Sequence, residues 1–289
     1  METSELLKKV RKIEIKTRGL SSNIFAGEYH SSFKGQGMAF SEVREYQYGD
    51  AIRNIDWNVT AKLNKPYVKI YEEERELTVM LLVDMSGSQD FGSRVRLKRE
   101  MVTEIAATLS FSAIQNNDKI GMLIFSDKIE KLILPQKGRK HILRIIRELL
   151  EFEPENKGTD IPAALEYFTK MIKRRCTAFL LSDFNDKQNL KDALSIANHK
   201  HDIVAIRVYD KLEASLPNMG LIRISDAETN QEKWLDTGSK ATRDAFTTNY
   251  NTRMKELDNA FTKSGVDHVA IPCDEDFVKP LMTLFKKRS

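Results

Sequence analysis

The chain has 289 residues, with 46 Lys or Arg against 42 Asp or Glu and a formal net charge of +4. So close a balance lacks the dense positive field of a dedicated nucleic-acid binder. A composition of 41% hydrophobic and 30% charged residues suits a folded globular protein and excludes gross disorder.

The first predicted element is a basic amphipathic helix over residues 4–16. Leu6, Leu7, Val10 and Ile13 recur at helical spacing among Lys8, Lys9, Arg11, Lys12 and Lys16. Glu5 and Glu14 dilute its charge, so it reads as a docking helix with a solvated face, with contact to an anionic membrane surface as the alternative. Nothing in this segment resembles a secretory leader. No later run approaches the ~20 apolar residues of a membrane span. With only Cys176 and Cys273 there is neither a disulfide framework nor a metal cluster. The expected location is cytoplasmic or membrane-peripheral.

Residues 19–50 read as loop, rich in Gly, Ser and Tyr. Gly35 and Gly37 form a G-x-G without a third glycine, a weak phosphate-loop signal. A short strand is predicted at 68–71, followed by a solvated run of acids over 72–76. An N-terminal extension over 1–76 is therefore expected before a second domain at 77–289.

From Leu77 the pattern is α/β. The runs 77–84, 119–125, 176–184 and 202–210 are near-continuous apolar segments of the kind buried on both faces of a parallel sheet. Helices are predicted between them at 95–115, 140–152, 162–172 and 190–198, with an edge strand at 128–135. The alternation implies βαβ crossovers and a doubly wound, mostly parallel sheet with helices on both faces. A hairpin excursion is expected at about 220–237, then a long polar helix over 240–264, a strand at 268–273 and a closing helix.

Three predicted strand ends carry the chemistry. Strand 77–84 ends in Asp84-Met85-Ser86-Gly87-Ser88. Lys157-Gly158-Thr159-Asp160 precedes a helix, and Ser182-Asp183 ends strand 176–181. In a doubly wound sheet ligands bind beyond the carboxyl ends of the strands, so the three should converge. Asp84, Ser86, Ser88, Thr159 and Asp183 offer two carboxylates and three hydroxyls, an oxygen set suited to Mg2+ or Mn2+. Alternate residues of an extended turn face one point, and Gly87 lets the backbone bend between the serines. With only two charged ligands the ion would stay electrophilic, ready to accept a carboxylate from another protein. Asp160, with Pro162 in the first helical turn, reads instead as an N-cap.

This ordered set resembles the metal-ion-dependent adhesion site of von Willebrand factor A domains, position by position: Asp84, Ser86 and Ser88, then Thr159, then Asp183. The resemblance covers about residues 77–210. It implies a von Willebrand factor A-like fold and a protein-interaction role rather than catalysis. The preceding block 44–62, REYQYGDAIRNIDWNVTAK, resembles the signature of a bacterial family of unknown function. Its members place the block before an A-type domain, and their genes commonly neighbour those of MoxR-type AAA+ ATPases. That resemblance implies an adaptor working with such an ATPase or its client in envelope or stress-related maintenance. Within the block, Tyr48-Gly49-Asp50 is a turn, and Arg44 and Arg53 are expected to pair with Asp50 and Asp56. Trp57 is expected to be buried beneath them, forming a structural clasp or, alternatively, a partner-binding surface.

The rival class is a metal-dependent phosphoester hydrolase. Aspartate-based phosphatases need a second carboxylate two residues after the first, where Ser86 stands. Ser86 also lacks a G-x-S-x-G elbow. The five histidines, His30, His141, His199, His201 and His268, show no metal-ligand spacing. A nucleic-acid-binding role is the weaker alternative, because basic and acidic residues interleave without an aromatic-plus-basic motif.

Overall fold

The structure is a computed structural model that describes residues 39–72, 77–92, 96–154, 156–186, 188–225 and 231–288. The expected helix at 4–16, Gly35 and Gly37, and the hairpin turn at 226–230 lie outside these residues. The described chain forms two compact units that divide between Leu77 and Thr78.

In the first unit, β1 (Ala39–Glu45) pairs antiparallel with β2 (Tyr67–Glu72), placing Arg44 opposite Val68. β1 corrects the loop expected there. A register shift between Phe40 and Glu42 breaks the two-residue period by which a strand is read from sequence. Between the strands lie a 3-10 turn (Ile52–Asn54) and a short helix, α1 (Trp57–Leu63). Asp56 caps α1 by accepting from the amides of Asn58 at 3.0 Å and Val59 at 3.2 Å.

The second unit is built on a six-stranded sheet. In chain order its strands are β3 (Thr78–Asp84), β4 (Lys119–Phe125), β5 (Ile129–Gln136), β6 (Thr177–Ser182), β7 (Asp202–Tyr209) and β10 (Asp267–Pro272). Their spatial order is β10-β7-β6-β3-β4-β5. All neighbours run parallel except β5, which returns antiparallel beside β4. β5 carries Pro135, and β10 ends on Pro272. β8 (Leu221–Ser225) and β9 (Glu232–Asp236) form a separate antiparallel pair, the expected hairpin excursion.

Helices cover both faces. On one side α4 (Ile161–Met171), α5 (Leu190–Lys200) and α7 (Lys240–Ser264) enclose a core that includes Met80, Leu123, Phe168, Leu180 and Phe261. On the other lie α2 (Lys98–Gln115), α3 (Arg139–Glu151) and α8 (Val278–Arg288), where Phe285 meets Phe179 edge-on at 6.1 Å. β3 and β6 are buried along nearly their whole lengths, which is why both read as continuous apolar runs. One glycine is a packing requirement. A Cβ on Gly121 would lie 2.6 Å from Met80 Sδ and 2.7 Å from the Ile133 carbonyl. Among the described residues no helix is long and apolar enough to cross a membrane.

The strand order fixes where a ligand can sit. From β3 the chain crosses through α2 to β4 on one side, and from β6 it crosses through α5 to β7 on the other. β3 and β6 are neighbours, so their carboxyl ends flank the switch point of the sheet. Asp84 ends β3, and Asp183 directly follows β6.

Candidate metal centre

Asp84 is fully buried. One carboxylate oxygen accepts from the Ser86 amide at 2.9 Å, and the other from the Ser182 hydroxyl at 2.5 Å. The hydroxyls of Ser86 and Ser88 lie 3.0 Å apart and are also buried. Ser86 precedes a 3-10 turn (Gly87–Asp90) but makes no capping bond through its side chain, so its hydroxyl stays among the site oxygens. Two backbone bonds bring in the Thr159 loop. The Gly87 amide donates to the Lys157 carbonyl at 2.9 Å, and the Asp160 amide to the Ser126 carbonyl at 2.9 Å. Thr159 is half-buried there, while Asp160 caps α4 through the Ala163 amide at 2.8 Å, as its sequence position suggests.

Asp183 is buried, and its Oδ1 accepts from the Asn185 amide at 3.0 Å. The next residue, Phe184, has φ 56°, a left-handed conformation rare for a bulky side chain. Its amide donates to Ser182 Oγ at 2.9 Å, and its ring meets Phe261 edge-on at 5.1 Å. The strained residue thus lies between a packed core and the site, where such strain concentrates.

Immediately around Asp84 and Asp183, carboxylates outnumber the ammonium that pairs with them. Burial, reinforced by the neighbouring charge of Asp183, pushes the Asp84 carboxyl up to about 7. Sequence patterns gave no sign of the cation paired with Asp183. Lys98, at the start of α2 and 1% exposed, places its ammonium 2.6 Å from Asp183 Oδ2 and also bonds Glu213. Burial opposes the Lys98 charge, but Asp183 and Glu213 outweigh it and hold the ammonium above its ordinary range. Burial raises Glu213 despite Lys98 beside it. Glu213 sits in a short helix, α6 (Lys211–Ala214). Three carboxylates, Asp84, Asp183 and Glu213, against one ammonium leave a net charge of −2 when all are ionised.

The donor set fits a hard divalent cation: carboxylate and hydroxyl oxygens at a switch point, with a charge deficit that such an ion would cancel. Gln89, next to Ser88 and buried, leaves both its amide oxygen and its nitrogen without a hydrogen-bond partner among the described residues. That is a second unmet polar demand beside the site. No cluster of three or more His, Cys, Asp or Glu positioned for metal occurs among the described residues, so an ion held here would draw on hydroxyl oxygens as well.

The 44–62 block behaves otherwise. Arg44 and Asp50 form the expected fork, with two bonds of 2.8 Å, across the turn closed by the Asp50 amide on the Gln47 carbonyl at 3.0 Å. Arg53 does not pair with Asp56, because that carboxylate is committed to capping α1 and also lies 3.6 Å from Lys69. Trp57 is 66% exposed rather than buried. It is the first residue after the cap, and its ring stays outside. The block is thus a turn and a helix cap, with the expected burial of Trp57 overturned.

Comparison with known proteins places the chain. An uncharacterised protein of Mycobacterium bovis is 26% identical over 290 residues, spanning 100% of this chain and 91% of its own length. An aerotolerance-related membrane protein of Bacteroides fragilis is similar at 14% identity and a TM-score of 0.49, over 73% of this chain and 99% of that one. The VWA domain of SpRpn10 is similar at 13% identity and a TM-score of 0.39, over 73% of this chain and 95% of that one. The family model described as "Protein of unknown function DUF58" matches residues 42–256, which takes in the signature block, both strand-end aspartates and all the hydroxyls of the site. The chain belongs to the DUF58 family.

Proposed function

We propose that this protein is a non-catalytic interaction module in which Asp84, Ser86, Ser88, Thr159 and Asp183 bind Mg2+ or Mn2+, some of them through water. When bound, the ion supplies a Lewis-acidic point that accepts an acidic side chain of a partner. The observation that carries this reading is Asp84: a fully buried carboxylate, raised by burial and then by its neighbour Asp183, whose hydrogen bonds come from the neutral amide of Ser86 and from neutral serine hydroxyls. Buried charge of this kind calls for a counter-ion. The chain's own groups set the orientation. Ser182 and the Ser86 amide fix the Asp84 carboxylate, Asn185 and Lys98 fix that of Asp183, and the Gly87–Lys157 bond holds the Thr159 loop beside them.

The partner proposed on the family resemblance is a MoxR-type AAA+ ATPase or its client, with the chain cytoplasmic or peripheral to a membrane. Calorimetry with Mn2+ on the wild type and Asp84→Ala, followed by pull-down with a MoxR-type AAA+ ATPase, tests both halves. Saturable binding lost in the variant supports the site. Equal binding by both proteins removes it, and a pull-down indifferent to EDTA removes the recruiting role.

A further inference from the structure

Beside the cation site, on the α7 side of the sheet, lies a cleft of about 220 Å³. It is smaller than the ~300–1,000 Å³ typical of drug-sized ligands and suits a single side chain. Asp183, Asn185 and Glu213 line it towards the site, and Arg207, Tyr250 and Arg253 line it from β7 and α7.

Arg207 is the unusual member. It is 8% exposed, and its guanidinium stacks over the Tyr209 ring at 4.4 Å and donates to the Tyr250 hydroxyl at 3.0 Å. Among the described residues it meets no carboxylate at ion-pair distance. A buried guanidinium is ordinarily paired with an acid. Two tyrosine rings, the Tyr250 hydroxyl and the Met254 sulfur, which accepts from Nη1, hold this one in place without neutralising it. Arg253 stands on the exposed face of α7 and, among the described residues, donates only to the Phe184 carbonyl, at 3.2 Å. The two carboxylates that line the cleft, Asp183 and Glu213, are engaged by Lys98. The four charged side chains that line the cleft sum to zero, and Lys98, paired with the two carboxylates from outside the lining, brings the group of five to +1. An open, side-chain-sized space with a preset guanidinium and a second arginine at its rim, whose two carboxylates are already paired with Lys98, is the complement of a carboxylate.

We propose that this cleft receives a second carboxylate of the same acidic ligand, held by Arg207 and Arg253 while a first carboxylate meets the cation. The proposal rests on the cation-dependent docking above and makes the ligand more specific: a segment with two acidic groups close together, rather than a single Asp or Glu. The charges agree. Asp84 brings the combined site to zero, a divalent ion takes it to +2, and two carboxylates return it to zero. Asp183 belongs to both halves, so the two anchor points are adjacent.

The test uses the full chain and a blocked tetraglutamate peptide, which offers paired carboxylates at several spacings, followed through the arginine side-chain Nε–Hε signals in 15N NMR. With Mg2+, the Arg207 and Arg253 signals should move saturably. Arg253→Gln, on an exposed helix face, should weaken binding by about tenfold or more. Arg207→Gln should do the same if it folds, and the Arg253 variant decides the matter if it does not. In EDTA the same arginine signals should move at higher peptide concentration. Peptide binding that needs Mg2+ but leaves both arginines unmoved and is unchanged in Arg253→Gln overturns the cleft and spares the cation reading. Arginine shifts identical with and without Mg2+ support the cleft and count against the cation reading. Absence of any arginine shift under both conditions, with no peptide binding, overturns both.

Discussion

Lys98 and Asp183 are bonded at 2.6 Å although 85 residues apart, so a buried ammonium already holds one of the two aspartates proposed to meet a cation. A metal arriving at Asp183 has to share it with Lys98. Lys98→Met should therefore raise Mn2+ affinity, by about tenfold if the removed charge weighs ~1.4 kcal/mol. In EDTA the same variant should be destabilised by about 3–5 kcal/mol, the cost of stripping one partner from a buried pair. Added Mn2+ should recover part of that loss. Calorimetry and thermal unfolding measure the two effects, and unchanged affinity in the variant would show that Lys98 and the ion do not compete.

Asp84 sets a pH dependence for the metal-free protein. Its folded value of about 7 lies above the ordinary ~3.9 of an unfolded aspartate. Between these values the folded state holds a proton that the unfolded chain has lost, so stability falls as pH rises from about 4 to 7 and levels off above. Tm measured in EDTA should drop across that window. Mg2+ should offset the drop most at pH 8, where Asp84 is ionised. Asp84→Asn should flatten the profile and abolish the Mg2+ effect.

His201 works in the opposite direction. Burial and the neighbouring charges of Lys200 and Arg175 depress it to about 4, while its ring lies 4.5 Å from that of Phe168 and its Nδ1 is 3.4 Å from Cys176 Sγ. Between about 6.5 and 4 the unfolded chain binds a proton that the folded state refuses, so stability is lost as pH falls through that range. The loss is at most about 3.5 kcal/mol, taking ~1.4 kcal/mol per pKa unit. Comparing acid unfolding of the wild type with His201→Phe isolates it: the variant should lack this part of the slope.

Phe184 predicts an inverted ranking of substitutions. Removing its ring forfeits the contact with Phe261, at a cost of ~3–5 kcal/mol for Phe→Ala in a core. Glycine, however, tolerates φ 56° where alanine does not, which is worth roughly 1 kcal/mol. Phe184→Gly should therefore unfold at higher denaturant than Phe184→Ala, the reverse of the usual order. Equal or lower stability for the glycine variant would argue against a left-handed residue here.

Much of the sheet was legible in the sequence because a strand buried on both faces must be apolar along its length, as β3 and β6 are. The five oxygen-bearing candidates could be found because each sits within a few residues of such a strand end. Lys98 and Glu213 could not, since each is one charged residue in an ordinary helical stretch, and only the fold brings them together. Arg207 was hidden for a related reason: it is one polar letter within an apolar strand, and its partners Tyr209 and Tyr250 follow no pattern with it. Trp57 misled because aromatic size suggests burial, whereas its position just after the Asp56 cap turns it outward. At β1 the register shift removed the period that would have marked the strand.

Pro135 in β5 and Pro272 at the end of β10 place an amide-free residue in each outermost strand of the six-stranded sheet. Neither border offers another chain an unbroken row of donors, so the sheet is a poor template for strand-by-strand growth. For the proposed capture of acidic segments this has a consequence: a captured chain is disfavoured as a further strand of the sheet and would be held by its side chains, from which it can be released.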